Sequence, residues 1–185
     1  QTNVKRILAY SSIAHSGYVL IAILVGTTSF GTPLRDGWSA ALFYLTVYGV
    51  MNLGAFGVLA CVRIYDKSAE TLEDLAGLAR KHPGIALILA LCLFSLMGMP
   101  PTAGFFGKLY VFTGALSVDP RHQHQTAMIV LAVLGVLNSV VAAFYYLRII
   151  AACYLHEPRE ATVLAQRGML QFGLAICAVF IILVG

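Results

Sequence analysis

The sequence predicts an all-α membrane protein forming a single transmembrane domain over residues 1–185, with five transmembrane helices of which the third is broken. Three observations carry that expectation. Hydrophobic residues make up 59% of the chain and charged ones only 11%, against about 45–50% and about 25% in soluble domains. Apolar runs of about 20 residues, enough to cross a hydrocarbon core of about 30 Å, recur along the chain. The charges fall between those runs, and they fall unevenly.

The runs cover roughly 7–26, 38–62, 84–117, 127–154 and 168–185. Assigning alternate connectors to opposite sides puts Lys5, Arg6, Arg63, Lys67, Arg80, Lys81, Arg148, Arg159 and Arg167 together, and leaves Arg35 and Arg121 on the other side. By the positive-inside rule the richer side is cytoplasmic. The N-terminal flank and loops 63–83 and 155–167 are therefore expected in the cytoplasm, and the protein in a bacterial-type inner membrane. The first span follows a charged flank and the runs are repeated, which excludes a cleaved leader as their explanation. The opening without an initiating Met gives the chain the look of the C-terminal part of something longer.

Loop 63–83 is the connector expected to hold structure of its own. Thr71 and Asp74 have capping-box-like spacing, and Leu72, Leu75, Ala76 and Leu78 recur with helical period, which predicts a short amphipathic helix on the membrane surface.

The third run is too long for one straight crossing: 34 residues at 1.5 Å each would reach about 51 Å. The stretch GMPPTAG supplies the interruption. Pro100 and Pro101 have no amide hydrogen, Pro101 drives Pro100 from the helical region, and Gly98 and Gly104 loosen the backbone. Two half-helices, about 84–98 and 102–117, are predicted. Non-helical backbone at membrane depth is tolerated where it is buried in protein or lines a wet cavity.

Lys108 follows within one to two turns of that break. Burial disfavours its charged form and a carboxylate or a water file favours it, a balance that suits a reversible proton carrier; the alternative is a lysine snorkelling to the far interface. Three other spans carry polar stripes. Ser11, Ser12 and His15 share a face, with Tyr18 a turn further; Tyr44, Tyr48 and Asn52 stand at i, i+4, i+8; Asn138 and Tyr145, and Ser139 and Tyr146, are each two turns apart. Histidine titrates near neutrality and hydroxyls both donate and accept, so such stripes can connect a proton path. The serines and Asn52 equally suit interhelical contacts, and Tyr145 and Tyr146, close to Arg148, equally suit interface anchors.

Bond-making chemistry is not written in this chain. Cys61, Cys92, Cys153 and Cys177 stand singly in or at the ends of apolar runs, without the paired spacing of metal or iron–sulfur sites, and read as small buried hydrophobes. His122 and His124 form a short HQH without further ligands at metal spacing. The basic residues flank spans and form no patch, which points to a lipid bilayer and away from nucleic acid.

The stretches NVKRILAYSSIAHSGY, FYLTVYGVMNLGAF, EDLAGLARKHP and LFSLMGMPPTAGFFGKLYVF together resemble the C-terminal part of the subunit N family of proton-pumping NADH:quinone oxidoreductase, respiratory complex I. The likeness runs from residue 1 to about 155. It implies the second of two inverted five-helix repeats of an antiporter-like subunit, with the break at GMPPTAG as that repeat's broken helix. The resemblance places Lys108 on the outward proton half-channel, His15 on a polar central axis, and Tyr145 or Tyr146 on the exit path; Ser11, Ser12, Tyr48 and Asn52 complete the candidate proton-translocation set. It implies a non-redox subunit of a translocase, inactive by itself, whose partners are a neighbouring antiporter-like subunit and small membrane-arm subunits. No cofactor is expected in this chain, since quinone, NADH, FMN and iron–sulfur clusters are used by other subunits. The alternative family reading is an Mrp-type Na⁺/H⁺ antiporter subunit. Those proteins are similar in carrying glutamine at the position of His15 and a histidine-and-lysine motif in the next helix, where this sequence reads YGVMNLGAF. A passive helical scaffold is the third reading.

Overall fold

A computed structural model describes residues 1–28, 36–64, 67–119, 123–158, 162–164 and 168–185. Arg35, Arg121, His122, Arg159 and Arg167, used above for topology or weighed as metal ligands, lie outside the described residues. Among the described residues the chain forms seven helices and three short strands: α1 Val4–Thr28, α2 Gly37–Cys61, β1 Val62–Ile64, β2 Lys67–Ser68, α3 Leu78–Lys81, α4 Pro83–Met97, α5 Ala103–Leu116, α6 Gln125–Leu155, β3 Thr162–Leu164 and α7 Gly168–Leu183. The protein is a helical membrane protein, and α1, α2 and α6 are each long and apolar enough to cross a bilayer.

Helix starts follow local chemistry. Asn3 Oδ1 accepts from Arg6 N at 2.9 Å and opens α1; Asp36 accepts from Trp38 N at 3.2 Å and from the Ser39 hydroxyl at 3.0 Å and opens α2. These are side-chain caps on otherwise orphaned amides. Pro83 takes the first position of α4, where its missing amide hydrogen costs nothing. α4 ends at Gly98, whose φ of 86° is left-handed, a conformation glycine adopts without a Cβ clash.

At 15 and 14 residues, α4 and α5 each reach only about 21 to 22 Å, short of a hydrocarbon core of about 30 Å. Residues 98–102 lie between them, with Pro100 and Pro101 on the exterior and a cis peptide joining the two.

One end of the bundle carries the connectors with structure. β1 pairs antiparallel with both β2 and β3, giving the order β2-β1-β3. These strands lie outside the all-α expectation; Val62, Ile64 and Val163 are β-branched and suit a short ladder. The stretch 68–78 then runs from the start of α1 to the end of α6. Val4 N donates to Glu70 O and Leu72 N to Thr2 O, and Lys5 reaches Glu70 at 2.9 Å. Further along, Gly77 N donates to Ala152 O at 3.2 Å, and Arg80 reaches Glu157 at 3.4 Å. The capping box forms: Asp74 Oδ2 accepts from Glu70 N and Thr71 N, and Thr71 Oγ1 accepts from Asp74 N. The helix after it is shorter than the periodicity predicts, because Gly77 turns left-handed with φ 67° against Pro158; residues 72–77 form turns and only Leu78–Lys81 are helical.

Two apolar clusters hold the bundle. One joins parts of α1, α2, α4, α6 and α7 around Met51, Leu89, Leu93 and Ile149. The other joins α1, α2, α5 and the first half of α6 around Ile21, Val25, Val111 and Met128. Large apolar side chains such as Ile13, Leu53, Val141 and Phe144 point outward, as a lipid-facing surface requires. Tyr48 packs against both clusters, and the polar residues collect at that seam.

Candidate functional site

Glycines bring α5 close enough to build the site. A Cβ on Gly104 would run into the Ser95 backbone carbonyl of α4 and approach Met51 Sδ at 3.0 Å; one turn on, a Cβ on Gly107 would stand 2.7 Å from the Tyr44 ring. Bare backbone at these two positions lets α5 lie directly on α4 and α2.

That contact makes the two short helices cap one another. Ser95 Oγ of α4 accepts from Gly104 N of α5 at 3.0 Å, while Thr102 at the start of α5 turns its hydroxyl back to Met99 O. In return Lys108 of α5 donates from Nζ to Leu96 O at 3.0 Å and to Met97 O at 2.8 Å. The carbonyls of Phe94 and Ser95 already accept from the amides of Gly98 and Met99, so the lysine takes the acceptors that the left-handed turn leaves over. Lys108 is only 6% exposed. None of the membrane-length or half-length helices α1, α2, α4, α5, α6 and α7 contains an acidic residue; the ammonium is met by the negative end of a helix dipole.

Tyr18 of α1 covers the other side of the lysine, with Nζ 5.2 Å from its ring centroid. Its hydroxyl accepts from Ser139 Oγ at 2.9 Å and from Asn138 Nδ2 at 3.4 Å on α6. The same ring meets His15 edge to face at 5.7 Å. Tyr18 thus stands between the lysine and the histidine.

His15 is almost fully buried and both its nitrogens are engaged. Nδ1 lies 2.7 Å from the Tyr44 hydroxyl and Nε2 lies 3.1 Å from the Tyr146 hydroxyl. In a neutral imidazole one nitrogen donates and the other accepts, so one tyrosine receives a hydrogen bond and the other gives one. Tyr48 stacks on the imidazole at 4.6 Å and receives a hydrogen bond from Asn52 at 3.4 Å. Ser11 interacts with the Tyr146 hydroxyl and Ser12 with that of Tyr48, while each serine also donates to a carbonyl in its own helix. Tyr145, half-buried, stands with its ring 4.6 Å from that of Tyr146.

The sequence-predicted residues are therefore neighbours, drawn from four helices into one network. Four further members, Tyr18, Tyr44, Asn138 and Ser139, lie on the same stripes outside the candidate set. Of the two tyrosines on the α2 stripe, Tyr44 bonds the imidazole at 2.7 Å and Tyr48 stacks on it. Their signal was present in the spacing, but which of two stacked tyrosines reaches a nitrogen depends on helix rotation. Ser95 had no signal at all, being a serine inside an apolar helix. A cavity of about 460 Å³ between α1 and α6 is lined by Ser11, Asn138, Tyr145 and Arg148, so the network borders an open groove. Among the described residues no group of three or more His, Cys, Asp or Glu side chains stands together as a metal site.

A buried lysine and histidine, held by backbone carbonyls and tyrosine hydroxyls inside a bundle of apolar helices, define a membrane protein with an internal polar network. The chain belongs to the NADH:quinone oxidoreductase/Mrp antiporter transmembrane family, whose pattern it matches over residues 1–144. It is 48% identical over 160 residues to NADH-quinone oxidoreductase subunit N of Rhodospirillum rubrum, covering 86% of this chain and 30% of that protein. A subunit N 2 of Roseiflexus castenholzii is 40% identical over 185 residues, 100% of this chain and 36% of the relative. Among solved structures, a chain of respiratory complex I from Thermus thermophilus with bound aureothin superposes with a TM-score of 0.73 at 30% identity, over 99% of this chain and 38% of that one. A chain of the Mrp complex from Dietzia sp. gives a TM-score of 0.67 at 25% identity, over 85% of this chain and 27% of that one. The chain thus spans about a third of the length of the curated relatives it matches.

Proposed function

We propose that this chain forms a proton-translocating part of a membrane-arm subunit of NADH:quinone oxidoreductase. In this reading the chain crosses the membrane five times, by α1, α2, α4 with α5, α6 and α7, and the Lys108 amine lies within the bilayer. The sheet-bearing end faces the cytoplasm of a bacterial-type inner membrane, where Lys5, Arg6, Arg63, Arg80 and Lys81 gather. Lys108 takes up and releases the proton, and His15 relays it: a proton accepted at one ring nitrogen leaves from the other toward Tyr44 or Tyr146. Tyr145, Ser11, Ser12, Tyr48 and Asn52 extend the path or hold the ring. The driving force comes from quinone reduction elsewhere in the complex, and this chain carries out no redox step. The partners are the neighbouring antiporter-like subunit and small subunits of the membrane arm.

The observation that carries this reading is the Lys108 amine, buried and held by the Leu96 and Met97 carbonyls at the end of α4. A charge at that depth costs at least about 2.5 kcal/mol to insert, so a lysine there with no acid on its own helices needs a task. Lys108→Ala in the intact complex is expected to lower both proton pumping and coupled quinone reduction. Unchanged rates for both would sink the proposal. The likeness to the Mrp complex chain favours one second reading, cation/proton exchange; sodium-dependent proton movement in vesicles without NADH oxidation would select it.

A further inference from the structure

Cys92 of α4 and Cys177 of α7 meet across Gly54 of α2, and we infer that this pair is a binding site for a soft divalent metal ion of the two-coordinate, thiophilic type that Hg(II) represents. The meeting is set by the glycine. The point where a Gly54 Cβ would stand lies 2.5 Å from Cys92 Sγ and 3.5 Å from Cys177 Cβ. Both are free cysteines; Cys92 is fully buried and Cys177 half-buried. The pair therefore has an inner ligand and one that an incoming ion reaches first.

Chemistry selects the ion. Thiolates favour soft cations, and two of them on neighbouring helices can share one ion at about 2.3 Å from each sulfur. Zn(II) in structural sites asks for four ligands, and no third His, Cys, Asp or Glu joins the pair among the described residues. Charge then separates the remaining candidates. Binding a divalent ion releases both thiol protons and leaves a neutral S–M–S unit, whereas Cu(I) or Ag(I) would leave a net negative charge among Leu89, Leu93 and Leu174. Uncompensated charge in such surroundings is strongly disfavoured. Occupancy would tie α7 to α4 one turn ahead of Leu96, whose carbonyl holds Lys108.

The test is direct. The full chain carrying Cys61→Ala and Cys153→Ala is incubated with one equivalent of HgCl₂, and X-ray absorption counts the sulfur neighbours of mercury. Two sulfurs per mercury are expected. Adding Cys177→Ala, which leaves the buried α4 face untouched, should give one sulfur and an affinity on the order of a hundredfold weaker, because the second ligand no longer binds intramolecularly. The wild-type chain, needing no substitution, should show two sulfurs on its first bound equivalent. One sulfur in the wild type, or two retained after Cys177→Ala, overturns the assignment.

Discussion

Gly98→Ala is the sharpest perturbation of the break, because it acts on Lys108 without touching the lysine. The substitution meets two obstacles. At φ 86° an alanine takes a left-handed conformation that costs about 1–2 kcal/mol. Its Cβ would also stand 3.0 Å from Lys108 Cδ, 3.4 Å from Nζ and 3.5 Å from Cε, so the lysine must retreat by a few tenths of an ångström at the least. The amine now lies 2.8 and 3.0 Å from its two carbonyl acceptors, and hydrogen bonds to a charged group are each worth about 1.5–3 kcal/mol. Losing one of them on top of the strain puts the total at about 2.5–5 kcal/mol. Thermal unfolding of the detergent-solubilised complex gives the stability, and proton uptake by vesicles gives the transport rate. Gly17→Ala and Gly49→Ala are the controls: nothing lies within 4 Å of a Cβ at either position, and alanine in a helix is favoured over glycine by about 0.5–1 kcal/mol. If Gly98→Ala matches those controls in both assays, the claim that the turn positions Lys108 is wrong.

Three further outcomes follow from the same contacts. Gly104→Ala drives a methyl into the Ser95 carbonyl and should abolish close packing of α5 on α4, read as loss of folded protein in membranes; backbone cannot yield there as a side chain would. Tyr146→Phe leaves His15 Nε2 without its hydroxyl, a loss of about 1–3 kcal/mol for a buried polar atom; the melting point should fall together with pumping, while Tyr145→Phe should leave melting nearly unchanged. Outside the membrane, the hydrogen bond and charge of Lys5 hold the Glu70 carboxyl below its ordinary value of 4.5. A depressed carboxyl stabilises the fold above that ordinary value and stops doing so as pH falls through its lower folded one. Glu70→Gln should therefore lower neutral stability by the small amount expected of an exposed pair and remove the matching acid-side loss below pH 4.5.

Much of this fold is written in hydropathy. The long apolar runs become α1, α2 and α6 almost at the boundaries the composition sets, since a bilayer-length helix leaves little freedom in where it starts and stops. The glycine and proline run likewise marks the end of α4, because missing amides and a left-handed turn are local matters. The small sheet was not legible: three-residue strands lie below any periodicity, and β1 and β3 are separated by nearly a hundred residues. The start of α3 is illegible for a related reason, as Gly77 turns left-handed in answer to Ala152 and Pro158, partners the loop's own sequence does not contain.

The partner of Lys108 was the hardest feature to read, and the physical reason bears on what the site can do. A search for a counter-charge looks for aspartate or glutamate, and α1, α2, α4, α5, α6 and α7 contain neither. The acceptors are main-chain carbonyls, which every residue possesses and no sequence pattern reveals. They are also a weaker trap than a carboxylate would be. The end of a helix carries roughly half an elementary charge, and its carbonyls accept hydrogen bonds from a neutral amine as well as from an ammonium. A carboxylate in the same place would bind the proton as well as the side chain, and removing the proton would strand a buried negative charge. The carbonyl pair holds Nζ in one position through both states, and Ser95 ties the start of α5 to the same turn, so the geometry does not depend on whether the proton is present. Lys108→Gln separates holding from carrying: its amide still donates hydrogen bonds toward the carbonyls at the end of α4 but exchanges no proton, so pumping should fall although the fold survives; pumping at the wild-type rate would mean that the Lys108 proton is irrelevant to the relay.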